Sequence, residues 1–432
     1  MHFGGAMAER VLSFEEALGV VLQHADVVLQ HAGTVLAGPQ ESVSLLDSAG
    51  RVLAERIVAD RDQPPFDRST RDGYALRAEH SAAELKVVGS VQAGGAWGGE
   101  PLRMHEAIEI MTGAPMPEGA DAVVMIEHVL VTEGSIRLAK GRTLRAGENI
   151  VPRGAEARAG AGVLAVGMVM GAAEIAVAAS CGCVALPVFK KPRVAVVATG
   201  DELVELDVQP NTSQIRNSNS YALAALVAAE GGQPSRFEIA RDTRADVRER
   251  IAQGSLSDLL VLSGGVSMGK FDLVEEVLAE FGAEFLFTGA LIQPGKPVVF
   301  GRLPKRGGSG HPGTPPRVEE WTYFFGLPGN PVSTQVTFSL FVAPMLRALA
   351  GRTELAPRFV EARLAQDVEG EVRVTRFLPA ELRGNCDTVT VNVVGWQGSG
   401  DVAANARGNC YCVFPAGVED FRAGQTVRVL LR

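Results

Sequence analysis

The sequence has no excess of cationic residues. Lys and Arg together number 41 against 50 Asp and Glu, which gives a formal net charge of −9 at pH 7. A protein that binds nucleic acid as its general partner needs surplus cations to neutralise the phosphates. The charge balance therefore argues against a nucleic-acid partner, although local basic sites could still bind a small anion.

Long apolar runs and a targeting segment are also missing. No uninterrupted apolar stretch reaches the ~20 residues that a membrane-spanning helix needs. The first residues, Met1 to Met7, lack the pattern of a signal peptide. We therefore expect a cytoplasmic protein with no membrane partner.

Cysteine is scarce, and its placement is uninformative about metal. The chain has five cysteines, of which four form the C-x-C pairs Cys181/Cys183 and Cys410/Cys412. Both pairs lie in strand-like sequence, where reduced and buried thiols are far commoner than metal ligands. Metal ligation remains the less favoured alternative when these pairs are compared with zinc-site spacings.

The middle of the chain has the pattern of an α/β domain. A length of 432 residues predicts two to four domains. After residues 190–192, apolar runs alternate with helical patterns, as in a parallel or mixed sheet covered by helices on both faces. We predict a three-layer α/β/α domain at 191–350 with an exposed insertion at 303–319. Its predicted strands are 194–198, 236–240, 259–263, 284–287, 298–301 and 324–327, and its helices 218–230, 243–253, 272–281 and 331–349.

The flanking regions predict smaller, strand-rich domains. A helix is predicted over 10–32, where Ser13 and Glu16 can form a capping box. We expect residues 8–56 and 150–190 to form one discontinuous mixed domain, into which a β-rich domain at 57–149 is inserted. Short strands at 359–365, 372–378, 388–394, 410–414 and 426–431 predict a C-terminal β barrel or sandwich at 351–432.

Residues 258–272 carry the clearest sign of a binding site. A short apolar run, Leu259–Leu262, is followed by a glycine-containing loop and the start of an amphipathic helix. Backbone N–H groups at such a place form a ready site for an oxyanion or phosphate.

The same loop excludes a P-loop nucleotide triphosphatase. Gly264, Gly269 and Lys270 fit the pattern G-x-x-x-x-G-K, but Phe271 stands where a Mg²⁺-bound nucleotide requires Ser or Thr. Asp272 closes the loop instead. We predict an anion site with a carboxylate beside it; a plain residue at a helix start is the alternative for Asp272.

Other polar loops are predicted at the same edge of the sheet. Ligands of open α/β sheets bind at the carboxyl ends of the strands, and clustered carboxylates near phosphate hold Mg²⁺ or position a nucleophile or water. A solvated rim is the alternative for any single acid. The loops predicted at these strand ends are 200–202, 241–242, 263–272 and 294–297.

Prolines restrain two further loops. Lys296 lies between Pro294 and Pro297, so it loses little chain entropy on binding an anion; a surface lysine beside a turn is the alternative. In the second loop, residues 327–333, Pro331 suits the first position of a helix and Asn330 suits the cap. The amides of that helix start are expected to be exposed and to suit an anion.

Several segments together resemble the molybdopterin molybdenumtransferase family, which includes the E domain of gephyrin. They occur in the family's order and cover nearly the whole chain. The fold that this resemblance implies is four domains, with a central domain of the molybdopterin-binding type, in an elongated homodimer. The matching segments are 72–75 (Asp-Gly-Tyr-Ala), 111–117 (Met-Thr-Gly-Ala-Pro-Met-Pro), 199–203 (Thr-Gly-Asp-Glu-Leu), 217–219 (Asn-Ser-Asn), 263–272, 294–297, 327–333 and 397–399.

The resemblance also implies an activity and a site. Enzymes of this family take adenylylated molybdopterin and molybdate, insert molybdenum at the pterin's dithiolene and release AMP, with Mg²⁺ implied. Asp72 and Thr112 are expected to reach the site of the other subunit, and the pterin adenylyltransferase of the same pathway is a candidate partner. The implied residues are, for catalysis, Asp272, Asp72, Glu202 and Asp242; for substrate binding, Thr112, Gly264, Gly265, Ser267, Gly269, Lys296, Pro328, Gly329, Asn330, Pro331, Ser333 and Ser399; and for Mg²⁺, Asp272, Asp242 and Glu202.

The sequence departs from the family pattern at particular positions. Arg71 replaces the usual Met before Asp72, and Glu156 keeps the charge of a family acid with a longer reach. Pro379 stands where the family has an arginine, for which Arg376 or Arg383 could compensate. The rival interpretations are the related adenylyltransferase and a binding protein without turnover.

Overall fold

The structure is a computed structural model that describes residues 10–34, 39–265, 273–305, 320–369, 373–385 and 388–432, with the backbone alone at 31–34. Ser267, Gly269, Lys270, Phe271 and Asp272 lie outside the described residues. So do Cys386 and most of the insertion predicted at 303–319.

A six-stranded mixed sheet forms the centre of the molecule. In spatial order, the first four strands pair in parallel, and each of the last two pairs antiparallel with the strand before it. This mixed topology confirms the predicted α/β fold class. In spatial order the strands are Gln233–Arg236, Arg193–Ala198, Leu259–Ser263, Trp321–Leu327, Val299–Pro304 and Glu284–Phe287. The helices of this region are Asn219–Ala229, Arg244–Gly254, Leu273–Glu280 and Pro331–Leu349.

The sheet is buried on both faces. Val194 and Val196 belong to one hydrophobic core, together with Leu223 of the helix Asn219–Ala229. The alternating residue Val197 belongs to a second core, with Ile251 of the helix Arg244–Gly254. Because successive strand residues point to opposite faces, these two cores lie on either side of the sheet, and the three-layer arrangement is confirmed.

Some predicted strand limits in this domain were wrong. The strand predicted at 236–240 is Gln233–Arg236, because parallel pairing with Arg193–Val196 takes those residues, and Ala240 forms only an isolated bridge with Thr199. The insertion predicted to begin at Leu303 begins later. Leu303 and Pro304 pair with Thr322 and Trp321 in a hairpin that flanks it.

The N-terminal helix, Phe14–Thr34, begins four residues later than predicted, since Val11–Leu12 pairs with Gly289–Ala290 as a short strand. The capping box is present: Ser13 N–H donates to Glu16 Oε2 (2.9 Å) and Glu16 N–H donates to Ser13 Oγ (3.2 Å). The buried face of this helix, which includes Val21, packs in the core that covers one side of the central sheet.

Two strand-rich regions precede the central sheet. The first contains the pairs Gln40–Ser44 with Ala185–Phe189 and Ile57–Val58 with Gly162–Leu164, and the helix Ala172–Ser180. The second is a six-stranded sheet, to which a separate pair, Arg68–Ser69 with Ile150–Val151, is adjacent in sequence. The six strands are Gly73–Leu76, Leu85–Val91, Glu106–Ile110, Ala122–Met125, Val129–Thr132 and Ser135–Leu138.

The C-terminal region is a closed five-stranded barrel. Its strands are Phe359–Leu364, Thr375–Gly384, Val389–Val393, Cys410–Phe414 and Thr426–Leu431. Closure comes from the pairing of Thr375–Gly384 with Cys410–Phe414. The strand predicted at 372–378 is in fact Thr375–Gly384, and the helix Val402–Arg407, capped by Asp401, was not predicted.

The last helix of the α/β region is a core helix. It is α-helical over Pro331–Thr337 and Ala343–Leu349, with π-helical hydrogen bonding over Phe338–Val342. By length and hydropathy alone it could cross a membrane, and it is the one described helix that could. However, 78% of that window is buried inside the protein.

The described cysteines are free thiols. Burial raises the pKa of Cys410 to about 11 and that of Cys412 to about 12. Both side chains therefore stay protonated at neutral pH and pack in the barrel core.

Candidate functional site

The parallel strands of the central sheet end side by side. Ala198 pairs with Ser263, and Ser263 in turn pairs with Leu327. The loops that begin at Thr199, Gly264 and Pro328 therefore leave the same edge of the sheet. Such an edge is where open α/β sheets bind ligands.

The loop 294–297 reaches this edge differently from the prediction. It follows the short strand Ile292–Gln293, which pairs with the C-terminal barrel and not with the central sheet, and it precedes the strand Val299–Pro304. That strand runs antiparallel to its neighbour, and Val299 pairs with Gly326 near the carboxyl end of Trp321–Leu327. The loop thus lies near the predicted edge of the central sheet. It does not follow the carboxyl end of a strand of that sheet, so the reason given for its location was wrong.

Gly264 and Gly265, the described residues of the glycine loop, have no room for a side chain. Gly264 and Gly265 have φ values of +88° and +65°, in the left-handed region that favours glycine. A Cβ on Gly264 would lie 2.5 Å from the Thr199 carbonyl oxygen, and one on Gly265 would lie 2.6 Å from Thr199 Oγ1. The hydroxyl of Thr199 is itself buried and has no hydrogen-bond partner among the residues that the structure describes.

The acids after two neighbouring strands meet at this edge. Asp242 N–H donates to Asp201 Oδ1 (3.2 Å), and Asp201 N–H donates to Asp242 Oδ2 (3.4 Å). Glu202 folds back, so that its carboxylate occupies the space where a side chain on Gly200 would lie. The structure thus joins Asp201 and Asp242; Asp201 belongs to the predicted strand-end loop 200–202 but was given no role in the site.

These carboxylates suit a hard cation in their chemistry. Mg²⁺ takes oxygen ligands and is bound by one or two carboxylates together with substrate phosphates. Asp201 and Asp242 supply such oxygens on the loops that follow two neighbouring strands of the sheet. Across the described ranges, no group of three or more His, Cys, Asp or Glu side chains is placed to hold a metal ion by itself.

Asp72 and Thr112 are brought together in the strand-rich region 57–149. Thr112 donates twice to Asp72 Oδ1, from its N–H (2.7 Å) and from its Oγ1–H (2.9 Å). These bonds, the backbone one foremost, lower the pKa of Asp72 below its usual value. Gly73 is obligatory beside it, since a Cβ there would overlap the Val124 carbonyl.

Neighbouring residues fix the backbone of this loop. The buried Ser69 donates from Oγ to the Arg71 carbonyl (2.6 Å) and accepts from Arg71 N–H (3.2 Å). Glu156 accepts a bond from Arg68 (2.8 Å). Between described residues, no hydrogen bond or ion pair joins Asp72 or Thr112 to the loops of the central sheet.

The proline-restrained loops lie against each other. Gly295 has a φ of +112°, and a Cβ there would lie 2.6 Å from Thr337 Cγ2 and 3.7 Å from the Ser333 carbonyl oxygen. Lys296 is half-buried. Its ammonium group forms no ion pair with any residue that the structure describes.

The start of the last helix is held by the C-terminal region. Asn330 occupies the cap position, but its side chain does not cap the helix. It donates instead to Ser399 Oγ (2.9 Å), while Val332 N–H donates to the Ser399 carbonyl (2.9 Å). Asn330 is thus the cap residue and Pro331 the first helical residue, as predicted, but the Asn330 side chain makes no capping bond and the Val332 amide is not available to an anion.

Arg376 and Arg383, which were expected to be able to compensate for the family arginine, both bond to residues of the barrel region. Pro379 is buried within the barrel strand Thr375–Gly384, opposite Tyr411. Arg376 donates to the Glu369 carbonyl (2.6 Å), and the exposed Arg383 pairs with Glu381 (2.8 Å). Neither contact is with a loop of the site.

One contact of the site was missed. Asn219 Nδ2 donates to Ser263 Oγ (3.0 Å) and to the Gly329 carbonyl (2.7 Å), and so connects two loops of the sheet edge. The sequence signals were the run of polar residues 217–219 directly before the apolar helix and the resemblance of that run to a family segment. Neither signal reveals partners 44 and 110 residues away.

Sequence models of known families match most of the chain. They are the MoeA N-terminal region (domain I and II) over residues 12–182, a domain described as a probable molybdopterin binding domain over 195–348, and the MoeA C-terminal region (domain IV) over 361–431. The molybdopterin molybdenumtransferase of Staphylococcus aureus strain COL is 34% identical over 402 residues, which is 91% of each chain. The chain belongs to the molybdopterin molybdenumtransferase (MoeA) family.

Solved structures agree with this membership. The crystal structure of the molybdopterin biosynthesis protein MoeA from Pyrococcus horikoshii OT3 superposes with a TM-score of 0.75 at 28% identity. The match covers 98% of this chain and 100% of the other. A second Pyrococcus MoeA structure gives a TM-score of 0.69 at 31% identity, with coverage of 98% and 99%.

Proposed function

We propose that this chain inserts molybdenum from molybdate into adenylylated molybdopterin and releases AMP, as a transferase of molybdenum cofactor biosynthesis. The observation that carries the proposal is the meeting of glycine, acidic and proline-restrained loops at one edge of the central sheet. The match to the Staphylococcus aureus molybdopterin molybdenumtransferase extends over 91% of each chain. We also propose that the protein acts in the cytoplasm.

The glycine loop is the proposed phosphate cradle. The φ values of Gly264 and Gly265 and the absence of side chains let a phosphate approach the backbone closely. The carboxylates of Asp242 and Glu202 are proposed to support Asp272 there. Mg²⁺, when bound with them, would neutralise charge on the phosphate oxygens of the substrate.

The second half of the proposed site takes molybdate. Lys296 offers a cation about half-buried and without a carboxylate partner in the described parts of the chain. A lysine ~4 Å from an oxyanion is worth on the order of 4 kcal/mol at an effective dielectric of ~20, before desolvation. Ser333, which is buried beside Gly295, and Ser399, which is held by Asn330, supply hydroxyls near the same junction.

Asp72 and Thr112 are proposed to complete the site from the other subunit of a homodimer. Asp72 is ionised at neutral pH, and both bonds from Thr112 lower its pKa further below the usual value. In that role Asp72 would orient the substrate or its metal ion and Thr112 would hold the carboxylate in position.

The deciding experiment is an assay of AMP release from adenylylated molybdopterin by the purified protein. We expect release only when both molybdate and Mg²⁺ are supplied. Product formation from ATP and free molybdopterin would instead support the adenylyltransferase, and binding without any release would support a protein that does not turn over substrate. Asp272→Asn is expected to lower the turnover at least about tenfold, or ~1.4 kcal/mol in the barrier.

A further inference from the structure

Two loops of the site approach each other closely, but their described residues share no backbone hydrogen bond beyond the end of the sheet. The last ladder bond runs from Gly264 N–H to the Leu327 carbonyl (3.1 Å). Beyond it, a Cβ on Gly329 would lie 3.7 Å from Gly264 Cα. The relative position of the two loops therefore depends on side chains.

Asn219 supplies the connection. Its Nδ2 donates to Ser263 Oγ (3.0 Å), at the start of the glycine loop, and to the Gly329 carbonyl (2.7 Å), in the proline-restrained loop. The Gly329 carbonyl can only accept, so the amide nitrogen must face it. A primary amide provides both donors from one planar group, which a hydroxyl or a carboxylate cannot do.

Asn219 is the one described residue that donates a hydrogen bond to the Gly329 carbonyl. Its neighbours in the loop are satisfied locally: the Pro328 carbonyl accepts from Thr334 Oγ1 (2.6 Å), and the Asn330 carbonyl accepts from Thr334 N–H (2.9 Å). Among the described residues, the Gly329 carbonyl has no other hydrogen-bond donor. Asn219 therefore fixes the plane of the Gly329–Asn330 peptide.

That plane sets the direction of a free donor. In a trans peptide the N–H points away from the carbonyl, so Asn330 N–H faces the side opposite to Asn219. Neither Asn330 N–H nor Gly265 N–H has a hydrogen-bond partner in the parts of the chain that the structure describes. Unpaired backbone donors on adjoining loops can bind an anion together.

We propose that Asn219 is a positioning residue that holds the glycine loop and the Leu327–Ser333 loop in the arrangement in which both bind the phosphates of the substrate. The inference rests on the proposed function for the identity of that substrate. The contact itself does not depend on it. Asn219 is half-buried and stands at the first residue of the helix Asn219–Ala229, so its side chain moves with a regular element.

The test compares Asn219→Ala and Asn219→Asp with wild type. Alanine removes both bonds, and the isosteric aspartate cannot donate to the Gly329 carbonyl. Both variants should raise the KM for adenylylated molybdopterin about tenfold with a smaller change in kcat, and Asp should be no better than Ala. Hydrogen–deuterium exchange should quicken in peptides covering 259–265 and 327–333.

Ser13→Ala is the matched control. It removes a polar contact at the start of another helix, Phe14–Thr34, and should lower the melting temperature while leaving the KM and the exchange of both loops unchanged. If the Asn219 variants behave like this control, Asn219 is a stabilising residue and the inference is wrong.

The exchange measurement also separates the two proposals. Faster exchange in both loops of the Asn219 variants, in a protein whose wild type releases no AMP, would keep the positioning role and reject the proposed reaction. Unchanged exchange would reject the positioning role whatever the wild type does.

Discussion

Asp72 combines a fixed position with full exposure. One of its oxygens, Oδ1, accepts both bonds from Thr112, and the other makes no hydrogen bond within the described chain. Such a carboxylate is ionised and oriented while one oxygen remains available to substrate or metal. Its expected contribution to the reaction is therefore its charge.

Asp72→Asn tests that contribution. The amide oxygen can still accept both bonds from Thr112, so the loop should keep its conformation, while the charge is lost. We expect turnover in the AMP-release assay to fall at least about tenfold, or ~1.4 kcal/mol in the barrier, with an unchanged melting temperature. Thr112→Ser, which retains both donors, is the matched control and should stay close to wild type; a fully active Asp72→Asn would remove Asp72 from the site.

The pKa of Asp72 gives a second residue-scale prediction. Because the folded pKa is lowered, the stability that ionised Asp72 contributes is present above the unfolded value of about 3.9 and is lost as the pH falls through the lower folded value. Thr112→Val removes the hydroxyl bond and should raise this pKa towards its usual value. Carboxyl-carbon NMR titration of both proteins measures the shift, and identical titration curves would contradict the assignment.

At the scale of elements, local patterns were predicted and long-range partners were not. The capping box of Ser13 and Glu16 depends on residues three positions apart, and the strand Leu259–Ser263 on a continuous apolar run. By contrast, Asn330 is the predicted cap residue of its helix, but its side chain bonds Ser399, 69 residues away. No local pattern distinguishes these two uses of an asparagine at a helix start.

The same limit explains the wrong strand boundaries. Residues 233–236 contain Pro234 and little β-branched sequence, yet they form the strand because their backbone pairs with Arg193–Val196. Thr375 starts a barrel strand because Ile292, far away in the sequence, pairs with it. Pairing partners decide strand limits, and the sequence pattern of one segment does not contain them.

The glycine loop provides an element-scale prediction with a close control. Gly264 and Gly134 have similar φ values, +88° and +76°. A Cβ on Gly134 meets nothing within 4 Å, whereas one on Gly264 meets the Thr199 backbone. Gly134→Ala should therefore lose only the roughly 1–2 kcal/mol of left-handed strain. Gly264→Ala should lose more in urea unfolding and should also lose AMP release, because Thr199 or the loop must move; equal losses in the two variants would contradict the crowding.

At the scale of the whole molecule, the parts of the proposed site are distributed over separate regions. The Ile292–Gln293 segment pairs with the barrel strand Thr375–Gly384 immediately before the loop of Lys296. Ser399, from the barrel region, holds the start of the last helix. The part of the site that is proposed to take molybdate therefore lies where the barrel meets the α/β region, within one chain.

Asp72 and Lys296 provide the test of whether the rest of the site comes from a second chain. If Asp72 acts in the partner's site, subunits carrying Asp72→Asn and subunits carrying Lys296→Ala are each inactive, yet a mixed dimer has one site with both native residues. In a closed two-fold dimer, random exchange of equal amounts should restore about a quarter of the wild-type AMP release. Mass spectrometry of differently tagged subunits must first establish that exchange has occurred. Complete exchange without recovered activity would mean that Asp72 and Lys296 act within the same chain, since in that case every site in the mixed dimer carries one of the two substitutions.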